Sequence, residues 1–194
     1  MGLLSLVILL ASAYATARYN VFGDVAWSEW PTLVLNKILA LSALALLAIH
    51  TIRRRGVQET SARTIVGVAG FLAAVHVLLS LVLLSPAYYG KLFNLDRLTA
   101  SAGIAMLLGA LAAATLAVGG KLLVGPDTRE PRRYFAFISF VIGLHAAFQG
   151  FFGWFTPWNW PGGMPPISLL SFALGIVALV AGLRRGESPS RSNR

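Results

Sequence analysis

Residues 63–86 read RTIVGVAGFLAAVHVLLSLVLLSP, an apolar run opened by an arginine and closed by a proline. An α-helix rises 1.5 Å per residue, so about 20 such residues cross the hydrocarbon core of a bilayer. The one ionisable group inside the run is His76, near its middle. The stretch Tyr134 to Phe155 repeats the pattern around His145. Counted from the basic end of each run, both histidines lie roughly 17 Å deep. Two imidazoles at one depth on two helices are what an axially ligated haem requires, because cofactor sites in helical bundles are built from side chains on facing helices.

The rest of the chain fits the same class. Of its 194 residues 57% are hydrophobic and 12% charged, against about 45–50% and 25% in a globular protein. The apolar residues come in blocks, so the predicted fold is all-α, a polytopic membrane protein with a six-transmembrane-helix bundle. The spans are expected at about 2–17, 32–52, 64–85, 98–118, 134–155 and 167–183. Residues 1–183 then make one transmembrane domain, and 184–194 a polar, Ser/Arg-rich, disordered cytoplasmic tail. The first span ends in small residues, as a signal peptide does, but no Lys or Arg precedes it, so it is read as a retained helix.

The net charge of +9 does not point to nucleic acid, because the basic residues cluster at span ends. Links 53–63 and 121–133 and the tail carry four Lys/Arg each, while the three opposite links carry only Arg18, Lys91 and Arg97. By the positive-inside rule both termini are cytoplasmic, in a plasma or inner membrane. The absence of cysteine excludes disulfides, thiolate metal sites and iron–sulfur clusters within the chain.

Within the spans, Lys37 is expected to snorkel to the headgroups and Asn36 to hydrogen-bond a neighbouring helix. His50, just before Arg53, is expected to be interfacial and wet. Gly67, Gly70, Ala73 and Ala74 form a small-residue face open to a partner helix or a flat cofactor, and Ala102, Gly103, Gly109 and Ala113 form a stripe suited to close packing. Trp154, Trp158 and Trp160 read as an interfacial belt. Intramembrane histidines face a bundle interior. As haem ligands, His76 and His145 would each give one ring nitrogen to iron and need an acceptor for the other N–H. Satisfied hydrogen bonds between helices are the alternative use of the same residues.

Over residues 32–156 the chain resembles the ferric-reductase-type transmembrane domain, a family that includes NADPH oxidases and the haem subunit of periplasmic methionine sulfoxide reductase. The resemblance is carried by NKILALSALALL (36–47), RTIVGVAGFLAAVH (63–76), the small-residue fourth span and RRYFAFISFVIGLH (132–145). It implies haem b between the third and fifth spans, with His76 and His145 as axial ligands. It implies electron transfer from a quinone or a separate reductase to an acceptor such as ferric iron. The family often carries a second histidine about four turns away on each of those helices. Here the positions 13 residues before are Arg63 and Arg132, and those 13 after are Tyr89 and Trp158, so one haem is the most this pattern holds. No flavin or nicotinamide domain and no G-x-G-x-x-G loop is present. The other function open to this sequence is a non-enzymatic membrane protein, an assembly factor or small-molecule carrier, whose histidines join helices.

Overall fold

The computed structural model describes residues 2–52, 59–122 and 132–184. The tail expected to be disordered lies, from residue 185, outside them, as do most of the two basic links. The chain folds into helices α1 (Leu3–Thr16), α2 (Leu35–Ile52), α3 (Glu59–Val82), a single turn α4 (Pro86–Tyr89), α5 (Ala100–Leu122), α6 (Arg132–Gly150) and α7 (Ile167–Arg184). Between α4 and α5, β1 (Phe93–Asn94) pairs with β2 (Arg97–Leu98) in a two-residue hairpin. With short π-helical and 3-10 turns added at their ends, six of the helices are 19 to 26 residues long and apolar enough to cross a membrane. The spans run Leu3–Val21, Trp27–Ile52, Ala62–Val82, Ala100–Gly119, Arg133–Phe155 and Pro161–Arg184. The all-α six-span bundle read from the sequence is the fold observed.

Local chemistry explains where the helices begin. Pro86 occupies the first turn of α4, where a missing N–H costs nothing. The Thr99 hydroxyl accepts from the Ala102 N–H at 3.2 Å and caps α5. The second span starts with a 3-10 turn, Trp27–Glu29, followed by a π-helical turn, Trp30–Val34, ahead of α2.

The second span is the centre of the bundle: 56% of its most apolar window is buried, against 22–33% for the other five. Helix α2 packs on α1, α3, α6 and α7, while α5 packs on α6 and, along a shorter seam, on α3. Helices α3 and α6 therefore stand diagonally, joined through α2 and α5 with little direct contact. Leu46, Leu47, Ile65, Ala69, Phe135 and Ile138 fill the core of one half of the bundle. Phe71, Leu78 and Val82 of α3 and Leu107 of α5 are exposed, as expected of side chains facing lipid tails. The tightest seam joins α6 to α7: a Cβ on Gly175 would lie 2.8 Å from the Ser139 carbonyl, and one on Gly143 would lie 3.1 Å from the Ser171 carbonyl. Small residues permit that backbone approach where no hydrophobic effect drives helices together.

Candidate functional site

His76 is presented by α3 and His145 by α6, the third and fifth spans, and both rings are half-buried. They make no hydrogen bond or ring contact with each other; the bonds of each go elsewhere.

Each ring is held by a different neighbouring helix. The Nδ1 of His76 lies 2.7 Å from Asn36 Oδ1 and 3.2 Å from the Asn36 backbone oxygen. Both partners are acceptors only, so Nδ1 carries the proton and donates, and Nε2 keeps its lone pair. The Nδ1 of His145 lies 2.6 Å from the Ala105 carbonyl on α5, and the same reasoning gives the same tautomer. The acceptors that the ring N–H groups required are thus supplied by α2 and α5, the two helices that bridge the diagonal pair. A metal-ligating histidine is oriented by this arrangement, with its non-ligating N–H held by a carbonyl or comparable oxygen. Gln149, one turn beyond His145, donates its amide N–H to the His145 Nε2 at 3.0 Å.

Asn36 organises the His76 side. Its side chain is fully buried at 0% exposure. Its amide N–H groups donate to Ser80 Oγ at 2.9 Å and to the Tyr89 hydroxyl at 2.8 Å, while its Oδ1 accepts from His76. The bond to a neighbouring helix expected of Asn36 is therefore present three times over. Tyr89 reaches it because the chain after α3 turns back at Ser85–Pro86 and folds α4 over the bundle end. Burial raises the Tyr89 phenol above its ordinary value, and hydrogen bonds from Asn36 and Ser80 offset part of that rise, so the group is a neutral phenol at physiological pH.

One expectation gains a partner and another is corrected. The Lys37 ammonium stands over the Tyr89 ring, 5.0 Å from the centroid, because the folded-back link puts an aromatic face within its reach. His50 is not wet. It is 3% exposed and meets Phe135 edge-on, with centroids 5.2 Å apart and planes at 90°, because α6 crosses α2 there. Along α2 it lies 14 residues, about 21 Å, from Asn36, and it takes no part in the histidine site.

The glycines differ in what surrounds them. A Cβ on Gly67 or Gly70 would meet nothing within 4 Å, so that face of α3 is open. A Cβ on Gly109 would lie 2.9 Å from both Cε1 and Nδ1 of His145. Gly109 is thus the residue that lets the imidazole reach the Ala105 carbonyl one turn away. Its only mark in the sequence is membership of a small-residue stripe. Ser80, Tyr89, Ala105 and Gln149 carry no mark of their own; Tyr89 stands out only for falling 13 residues after His76, where the family pattern allows a ligand.

Chemically, the arrangement offers the Nε2 lone pair of His76 and, where Gln149 releases it, that of His145. Among the described residues, no group of three or more His, Asp or Glu side chains gathers. An ion held here must bring its remaining ligands with it, which a macrocycle carrying four nitrogens does and a bare ion does not. The two rings stand on helices with little direct contact, each held by its own neighbour. No family model, curated protein or solved structure matches this chain.

Proposed function

We propose that this chain is a membrane-embedded haem b electron-transfer protein of ferric-reductase-like type, with His76 and His145 as the axial ligands. The observation that carries the reading is the shared tautomer: Nδ1 donates to an oxygen 2.7 Å away in His76 and 2.6 Å away in His145, which leaves the lone pair on Nε2 in each, in His145 accepting from Gln149. Bound haem would supply a one-electron iron couple. The residues described here hold and tune it. Asn36 and Ala105 fix the rings and raise their basicity, Gly109 gives His145 its approach, and the surrounding apolar side chains exclude water, which sets the potential. Gln149 turns aside when Nε2 is taken. The reductant is a quinone or a separate reductase, and the acceptor is ferric iron or a partner protein.

The bond from Gln149 to His145 Nε2 favours a second reading, a non-enzymatic membrane protein whose histidines only tie helices, since it satisfies the ring without any ligand. An absorption spectrum of detergent-purified protein, oxidised and then reduced, separates the two. Haem binding gives a Soret band with the sharp reduced bands of six-coordinate iron, and His76→Ala and His145→Ala each remove or weaken it. Protein that stays colourless from haem-replete cells rejects the haem reading. For orientation, the charge asymmetry between links supports a cytoplasmic position of both termini. Reporter fusions after Arg55 and Pro126 should read as cytoplasmic and fusions near Asn94 and Gly162 as external; a cytoplasmic signal at Gly162 overturns that placement.

A further inference from the structure

Asn36 presents an acceptor to His76 rather than a donor, and that orientation has a cause. An amide has nearly the same shape on its oxygen and NH2 sides, so either side fits against the ring. The side chain is 0% exposed, so its oxygen and both N–H groups need partners within the protein, because an orphaned buried donor is costly. In the orientation observed all three are met. The two N–H groups donate to Ser80 Oγ at 2.9 Å and to the Tyr89 hydroxyl at 2.8 Å, and Oδ1 accepts from His76 Nδ1 at 2.7 Å. The Ser80 oxygen is 3.5 Å from Nδ1 itself, a much weaker contact.

Rotated half a turn about χ2, the same amide does worse. Oδ1 would accept from both hydroxyls and one N–H would donate to His76 Nδ1, but the second N–H would have no acceptor. The Nδ1 lone pair would also lie against the Asn36 backbone oxygen, 3.2 Å away. The two hydroxyls therefore select the orientation of the amide, and the amide selects which ring nitrogen carries the proton. With one hydroxyl removed, each orientation leaves one N–H unpaired, and only the backbone contact still favours the original.

We propose that Ser80 and Tyr89 are positioning residues that set the tautomer of His76 through the Asn36 amide. Ser80 stands on α3 one turn after His76, and Tyr89 on the single turn α4, outside the membrane spans. A residue of the link between the third and fourth spans thus decides whether Nε2 of an intramembrane histidine offers its lone pair. The consequence for iron rests on the haem reading above; the control of the tautomer does not.

The test reads the proton position directly, from 15N spectra of the full chain purified in detergent without haem and labelled at both histidine ring nitrogens. His76 is identified by the signals lost in His76→Ala. In the wild type the Nδ1-protonated form alone should be present. Tyr89→Phe and Ser80→Ala each delete one oxygen and no carbon. In each, an Nε2-protonated population of about a tenth to a third should appear, the share left when one ordinary hydrogen bond favours the original form. Ser80→Thr, which keeps the hydroxyl, should match the wild type. Adding Asn36→Asp to Tyr89→Phe should restore full protonation of Nδ1, because a carboxylate has no N–H to turn toward the ring. Hydroxyls that only brace the fold would lower stability without moving the proton. A wild-type ring protonated at Nε2, or folded variants with Nδ1 wholly protonated, overturns the proposal. Reduced hemin, diamagnetic when six-coordinate, is then added to Tyr89→Phe. Disappearance of the Nε2-protonated form at saturation supports iron at Nε2, whereas its persistence rejects His76 as a ligand and leaves the tautomer control standing.

Discussion

Asn36→Ala is the substitution that tests the site most directly. The side chain makes three bonds, to His76 at 2.7 Å, Ser80 at 2.9 Å and Tyr89 at 2.8 Å, and joins α2 to α3 and α4. Interhelical hydrogen bonds in a membrane protein average about 0.6 kcal/mol, and those in water-soluble proteins about 1 kcal/mol. Three of them give a loss of about 2–3 kcal/mol, measured by reversible unfolding in mixed micelles followed by helicity. The effect on haem has its own scale: removing the group that orients a ligating histidine costs about 10–100-fold in affinity. His76 keeps its 3.2 Å contact to the Asn36 backbone oxygen, so the expected loss lies nearer tenfold, read by hemin titration. Asn36→Asp retains an acceptor for His76 but no donor for Ser80 or Tyr89. It should lose stability while holding hemin better than Asn36→Ala does. If Asn36→Ala unfolds within about 0.5 kcal/mol of the wild type, the low end of a single hydrogen bond's contribution, the network is not structural. If it binds hemin as the wild type does while His76→Ala does not, Asn36 does not position the ring.

Gly109→Ala should push the His145 ring off the Ala105 carbonyl, since the new Cβ lies 2.9 Å from it. A loss of about 1–3 kcal/mol together with weakened hemin binding is expected, and unchanged hemin affinity would argue against that anchor. Gly175→Ala places a Cβ 2.8 Å from the Ser139 backbone oxygen, which cannot rotate away, so α6 and α7 must part at about 1–3 kcal/mol. Gly67→Ala, whose Cβ meets nothing within 4 Å, should be neutral or slightly stabilising in the same unfolding assay. His50→Ala empties a buried position against Phe135 and should destabilise by about 2 kcal/mol, yet retain the full haem spectrum because it lies far along α2 from Asn36. Loss of haem in His50→Ala with retention in His145→Ala would invert the ligand assignment.

The six spans were legible in the sequence because crossing a bilayer is a matter of apolar length, a property of each segment alone. The expected depths of His76 and His145 rest on the same property: rise per residue converts position into depth without reference to any neighbour. Depth says nothing about which way a side chain turns around its helix axis or what stands opposite. Lys37 and Asn36 are adjacent in the sequence and equally deep; only the folded-back link that delivers Tyr89 makes one a cation over a ring and the other the holder of His76. His50 seemed wet from its place beside three arginines and is buried because α6 crosses α2 at Phe135. Gly67 and Gly109 look alike as members of small-residue faces, but the first meets open space and the second meets an imidazole. Partners 40 residues away, Asn36 for His76 and Ala105 for His145, set the tautomer of each ring. That choice is tertiary because the ring nitrogen that packing sets against an acceptor is the one that keeps the proton, and the packing of six apolar helices of similar length is not written in any one of them.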